Sequence, residues 1–146
     1  YIVVGSAMIA ENPLLGTGPG TFPLHYATTG YAKTFSVSGK TDDLYRRAHN
    51  TYLEIFSELG IPAGLMFVGM LALGLYNLIR ARHTWLLRGD RHQADLMTHL
   101  SMSFLSLTLF LMFLSAPNHK YLWIMLALTG VLRTKANEAP LKEVRA

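Results

Sequence analysis

Residues 61–79, IPAGLMFVGMLALGLYNLI, run for 19 positions without a charged side chain. Wound as a helix with a rise of about 1.5 Å per residue, such a run nearly spans a hydrocarbon core of about 30 Å. Residues 96–116 form a second run, broken only by His99 and by hydroxyls that can bond to helix carbonyls. A third run, 121–132, has 12 residues and reaches spanning length only if Arg133 and Lys135 snorkel towards water. Apolar residues make up 51% of the chain and charged ones 15%, against about 25% in ordinary soluble domains. The expected fold is all-α: a polytopic helical membrane protein fragment with an irregular, partly helical segment ahead of its spans.

Charge sets the expected orientation. Residues 1–60 hold four Lys/Arg against five acids, and the remainder holds nine against four. Arg80, Arg82, Arg88 and Arg91 fall between the first two apolar runs, and Arg133, Lys135, Lys142 and Arg145 follow the third. The positive-inside rule places both basic groups in the cytoplasm. The expected organisation is then an outer segment 1–60, spans at 61–81, 96–116 and 121–134, a cytoplasmic loop 82–95, an outer turn 117–120 and a cytoplasmic tail 135–146. Basic residues lying in short stretches beside apolar runs suit a bilayer and argue against nucleic acid. The chain contains no cysteine, which removes thiolate chemistry and disulfides. Tyr1 is not preceded by a basic leader, so the sequence reads as the C-terminal piece of a longer protein.

Chemistry concentrates just ahead of the first run, in RRAHNTYLEIFSELGIPAGL at 46–65. Thr51 and Glu54 have the spacing of a capping box, so a helix is expected to start there and stop at Gly60. Pro62 would open the spanning helix. Arg46, Arg47 and His49 then collect at a helix N-terminus, where the macrodipole and free N–H groups favour an anion. Two guanidiniums can fork onto phosphate oxygens, and a histidine can take a proton from a hydroxyl. The plainer alternative is that the arginines are interfacial anchors. The stripe Tyr52, Ile55, Phe56 and Leu59 reads as a packing face. Upstream, Gly16, Gly18 and Gly20 in GTGPGTF lack the last glycine of a dinucleotide fingerprint, and read either as a turn or as a loop that lets backbone approach a substrate. His25, Asp42, Asp43 and His119 show no metal-ligand spacing, so no metal and no cofactor are assigned.

ENPLLGTGPGTF together with RRAHNTYLEIFSELGIPAGLMFV resembles the O-antigen ligase and polymerase superfamily, over roughly residues 1–70. The more specific part is His49-Asn50 followed after nine residues by Gly60; Ala63 departs from the Gly, Thr or Tyr that ligases favour. The resemblance implies a multi-pass protein of the bacterial inner membrane with residues 1–60 in the periplasm. It implies metal-independent transfer of a glycan from undecaprenyl diphosphate to lipid A-core, or to another glycan repeat in a polymerase. His49 maps onto the family's key histidine, and one of Arg46 and Arg47 matches an arginine that holds the diphosphate; Gly16, Gly18, Gly20 and Asn50 are the candidate substrate loop. A transporter or a non-catalytic membrane subunit is the competing class.

Overall fold

The computed structural model describes residues 1–29, 45–116 and 120–140, and these are all-helical, without a strand. The elements are α1 (Ile2–Glu11), α2 (Phe22–Thr28), α3 (Thr51–Leu87), α4 (Arg91–Phe110) and α5 (Lys120–Glu138). Asp42, Asp43 and His119, most of the turn at 117–120 and the end of the tail lie outside the described residues. Among the described residues one helix, α3, is long and apolar enough to cross a membrane. The chain divides into two compact units, Tyr1–Phe67 with Phe110–Asn118, and Val68–Leu109 with His119–Ala146.

In the first unit α1 and α2 pack around Val4, Met8, Phe22, Tyr26 and Ala48, with Leu53 of α3 against them. Gly5 makes this close approach feasible, since a Cβ there would lie 2.6 Å from Leu53 Cδ1. Gly60 breaks α3 with φ 85° and ψ 171°, as its position before Pro62 leads one to expect. A broken helix strands carbonyls on one side of the break and N–H groups on the other. Here the loop after α1 satisfies both. Thr17 N donates to Ser57 O at 3.2 Å, Gly18 N to Glu58 O at 2.9 Å, and Ile61 N to Pro13 O at 2.8 Å.

Two details of the helix start differ from the sequence expectation. Asn50 is the cap, its Oδ1 accepting Leu53 N at 3.0 Å while its carbonyl accepts Glu54 N. Thr51 cannot cap because its hydroxyl is spent elsewhere: it donates to Leu114 O and accepts Ala116 N at 2.9 Å. Thr51 N in turn donates to Leu111 O at 2.9 Å. These bonds take the place of helix continuation after Phe110, so the last six residues of the apolar run 96–116 are not helical.

In the second unit α3, α4 and α5 pack around Leu78, Ala81, Met97, Phe104, Leu122 and Ala136. Gly74 faces Phe104 of α4 and Leu126 of α5. Cations tie these helices together: Arg82 Nε donates to Thr98 Oγ1 at 2.8 Å, Arg133 Nη1 to Asn77 Oδ1 at 2.8 Å, and Arg88 Nη2 to Asn137 O at 2.6 Å. The exit from α3 is a Schellman turn, with Gly89 at φ 74°, Gly89 N bonded to Leu86 O and Asp90 N to Trp85 O. Asp90 then caps α4 through Gln93 N.

Candidate functional site

His49 is exposed at the residue just before the Asn50 cap, and it is the non-glycine residue with a positive φ, 50°, among those described. That conformation costs an L-residue about 1 kcal/mol or more. Its ring meets Tyr1 edge-on, with centroids 5.3 Å apart, and Tyr1 stacks on Tyr26 at 5.3 Å. An aromatic row drawn from α1 and α2 thus fixes the imidazole from one side.

Arg47 is turned towards α3. Its Nε donates to Glu54 Oε1 at 3.1 Å, and Nη2 reaches the same oxygen. Glu54 is 1% exposed while the Arg47 side chain is 51% exposed, so the guanidinium connects a buried carboxylate to solvent. Glu54 therefore pairs with Arg47 instead of reaching back to the start of its helix, as a capping box would require. Arg46 is partly buried in the same irregular stretch. The helix terminus is less bare than the sequence suggests. Thr51 N and Leu53 N already have partners within the protein, so an anion there would meet the dipole and the guanidiniums rather than these two amides.

The glycine-rich loop approaches α3 at its break. A Cβ on Gly16 would lie 2.3 Å from Glu58 C and O, and one on Gly60 2.4 Å from Leu14 O. These two positions must be glycine for the backbones to touch. Gly18 and Gly20 also have positive φ, 107° and 75°, and a Cβ on Gly20 would meet nothing within 4 Å. Glu58 holds the loop's end: Oε2 accepts Gly20 N at 2.8 Å and Oε1 accepts Phe22 N at 3.0 Å, at the start of α2. From the sequence Glu58 is only a polar residue next to the apolar stripe. Its signal, an acid beside that stripe and two residues before the breaking glycine, becomes informative once the loop is known to dock there.

The structure thus gathers His49, Asn50, Arg47, Glu54 and Gly16–Gly20 into one unit around the start and break of α3. Residues 2–68 match the family model described as O-antigen ligase. This part of the chain is similar to the O-antigen ligase family. No curated protein and no solved structure matches the chain. The family consists of membrane proteins that process glycans, and α3 is a helix suited to that setting.

Proposed function

We propose that this chain carries part of the reaction centre of a membrane glycosyltransferase of the O-antigen ligase type. It moves a glycan from undecaprenyl diphosphate to an acceptor hydroxyl at the periplasmic face of the bacterial inner membrane. The observation that carries this reading is His49: exposed, strained into a left-handed conformation and steadied by Tyr1, at the head of a helix within the family segment. Strain held at an exposed polar residue is a pointer to function.

In the proposed reaction the acceptor oxygen attacks the anomeric carbon and gives its proton to His49. The bond from that carbon to the diphosphate oxygen breaks, and undecaprenyl diphosphate leaves. Arg46 and Arg47 neutralise charge on the departing diphosphate, aided by the positive end of α3. Glu54 holds the Arg47 fork in place. Gly18, Gly20 and Asn50 keep the backbone beside the site low and open. A single displacement inverts the anomeric centre, and a retained linkage would exclude it. Lipid A-core is the acceptor in a ligase and a further repeat in a polymerase, with the same chemistry in both.

The expected spans at 61–81, at 96–116, of which residues 96–110 are helical, and at 121–134, and the periplasmic position of residues 1–60, belong to this proposal. Its support is the positive-inside distribution, together with the clustering of Arg82 and Arg88 in interhelical bonds within the second unit.

The test is His49→Ala in the full-length protein in its own cell, with glycolipids resolved by chain length and by carrier. Loss of a general base should cost about 10²-fold or more in transfer. Long chains stranded on the diphosphate carrier identify a ligase; single repeats delivered to the lipid core identify a polymerase. An unchanged pattern at normal protein level sinks the mechanism.

A further inference from the structure

The turn after α1 is built from Pro13, Leu14 and Leu15, and Gly16 N closes it by donating to Asn12 O at 2.9 Å. It rests on the break in α3. Pro13 O accepts Ile61 N at 2.8 Å, and Leu14 O lies against Gly60, where a Cβ would come within 2.4 Å of it. Thr17 N and Gly18 N fasten the outgoing arm to Ser57 O and Glu58 O. With the backbone pinned on both sides, the side chains of Leu14 and Leu15 stand outward, 72% and 85% exposed.

Loop tips that face water are ordinarily small and polar. This one carries two leucines, and from Asn12 to Leu24 the sequence holds no ionisable side chain. A lone exposed leucine says little, but these two continue a surface. Ile61, bonded through its N–H to Pro13, is partly exposed. Leu65, one turn further along the same face of α3, and Met66 beside it are more so. The tip thus prolongs the apolar face with which α3 would enter a bilayer.

We propose that Leu14 and Leu15 insert into the outer leaflet beside the start of the span, at the boundary of headgroups and acyl chains. The occupant is lipid because the patch is free of charge and continuous with the span's own apolar face. Insertion stops at that boundary, since hydrocarbon further down offers irregular backbone no hydrogen-bond partners. The proposal rests on the membrane setting given above, in which α3 spans from residue 61 and residues 1–60 are periplasmic. It adds a depth to that setting. The arm bonded to Ser57 and Glu58 ties the tip to the stretch of α3 that carries Glu54 and, through it, Arg47. The candidate site is thereby held at the level where a lipid-linked diphosphate lies.

The test attaches an environment-sensitive fluorophore to Leu14→Cys or Leu15→Cys in the full-length protein, in vesicles of phosphatidylethanolamine and phosphatidylglycerol. This chain contributes no competing cysteine, and any elsewhere in the protein is replaced by serine. Both side chains are exposed, so the substitutions leave the core intact. Iodide quenches from water, and a nitroxide placed high on the acyl chain quenches from lipid. Labels on Leu65→Cys and Met66→Cys report the span. Insertion gives lipid quenching at both tip positions within about twofold of the stronger span label, because an interfacial depth keeps the label near the nitroxide. Iodide quenching that exceeds lipid quenching at the tip overturns the insertion. Protection from both quenchers overturns it too, and means that protein covers the tip. Iodide reaching Leu65 and Met66 overturns the spanning reading itself, whereas the insertion alone falls when the span labels meet lipid and the tip labels do not.

Discussion

The two units bury different kinds of side chain. In the first, Thr51, Glu54, Ser57 and Glu58 are all buried on one short stretch of α3. Thr51 and Glu58 hold segments distant in sequence, at Leu114–Ala116 and Gly20–Phe22, and Glu54 holds Arg47. In the second, the buried side chains among the described residues are apolar except for Thr129, whose hydroxyl bonds back to Leu126 O within its own helix. One region is specified by buried hydrogen bonds and backbone contacts, the other by apolar packing of helices with arginine hydrogen bonds nearer its surface. The proposed transfer would need a diphosphate and a hydroxyl held in register, and the first kind of construction suits that demand.

The sharpest way to break this contrast is Gly60→Ala. The residue sits at φ 85°, and its Cβ would lie 2.4 Å from Leu14 O and 3.0 Å from Gly16 N. Backbone cannot swing aside as a side-chain tip can, so strain and clash add. The expected loss is about 4 kcal/mol, near the upper end for single substitutions. In practice the full-length variant should accumulate poorly in membranes. A variant that melts at the wild-type temperature would mean that the loop does not rest on the helix break.

Glu58→Ala comes next. It leaves Gly20 N and Phe22 N, the latter in a buried setting, without their acceptor. The expected loss is about 3 kcal/mol, read as a lower melting midpoint of the purified full-length protein. Glu58→Gln keeps one acceptor and should lose about half as much. Equal behaviour of the two variants would show that the loop end is held by something other than this carboxylate.

The legible parts of the first unit were those governed by a single residue's own conformational limits. Gly60 followed by Pro62 announces a helix break, and the three glycines of GTGPGTF announce a loop; both are where they were expected. The illegible parts were choices among partners. Thr51 and Glu54 satisfy the capping-box spacing, yet Thr51 bonds residues more than sixty positions away and Glu54 takes Arg47. Asn50 caps in their place, which its residue type permits and its spacing does not reveal. Hydropathy likewise carried the apolar run to residue 116, because it does not register that the carbonyls of Leu111 and Leu114 have donors waiting on Thr51. Of the candidate site, the cluster His49, Arg47 and Asn50 was visible as adjacent letters. The docking of the glycine-rich loop on α3 was not, since Thr17 and Gly18 meet Ser57 and Glu58 only through backbone bonds that no spacing reveals.

The smallest effect is expected at Gly130 in α5, where the second unit's simpler construction can be sharpened. A Cβ there meets nothing within 4 Å among the described residues, whereas one at Gly74 would lie 2.8 Å from Phe104 Cζ and 3.0 Å from Leu126 Cδ2. Gly130→Ala should therefore stabilise the helix by about 0.5 kcal/mol, since alanine loses less backbone entropy on folding and has no neighbour to displace. Thermal unfolding of the full-length protein would read this as a rise of a degree or two. A fall instead would mean that another helix lies against this face. Small residues are what allow membrane helices to approach closely, and alanine would then press on that neighbour. The sign at Gly130 thus tells whether this face of α5 is open, or is a packing surface built as tightly as Gly74.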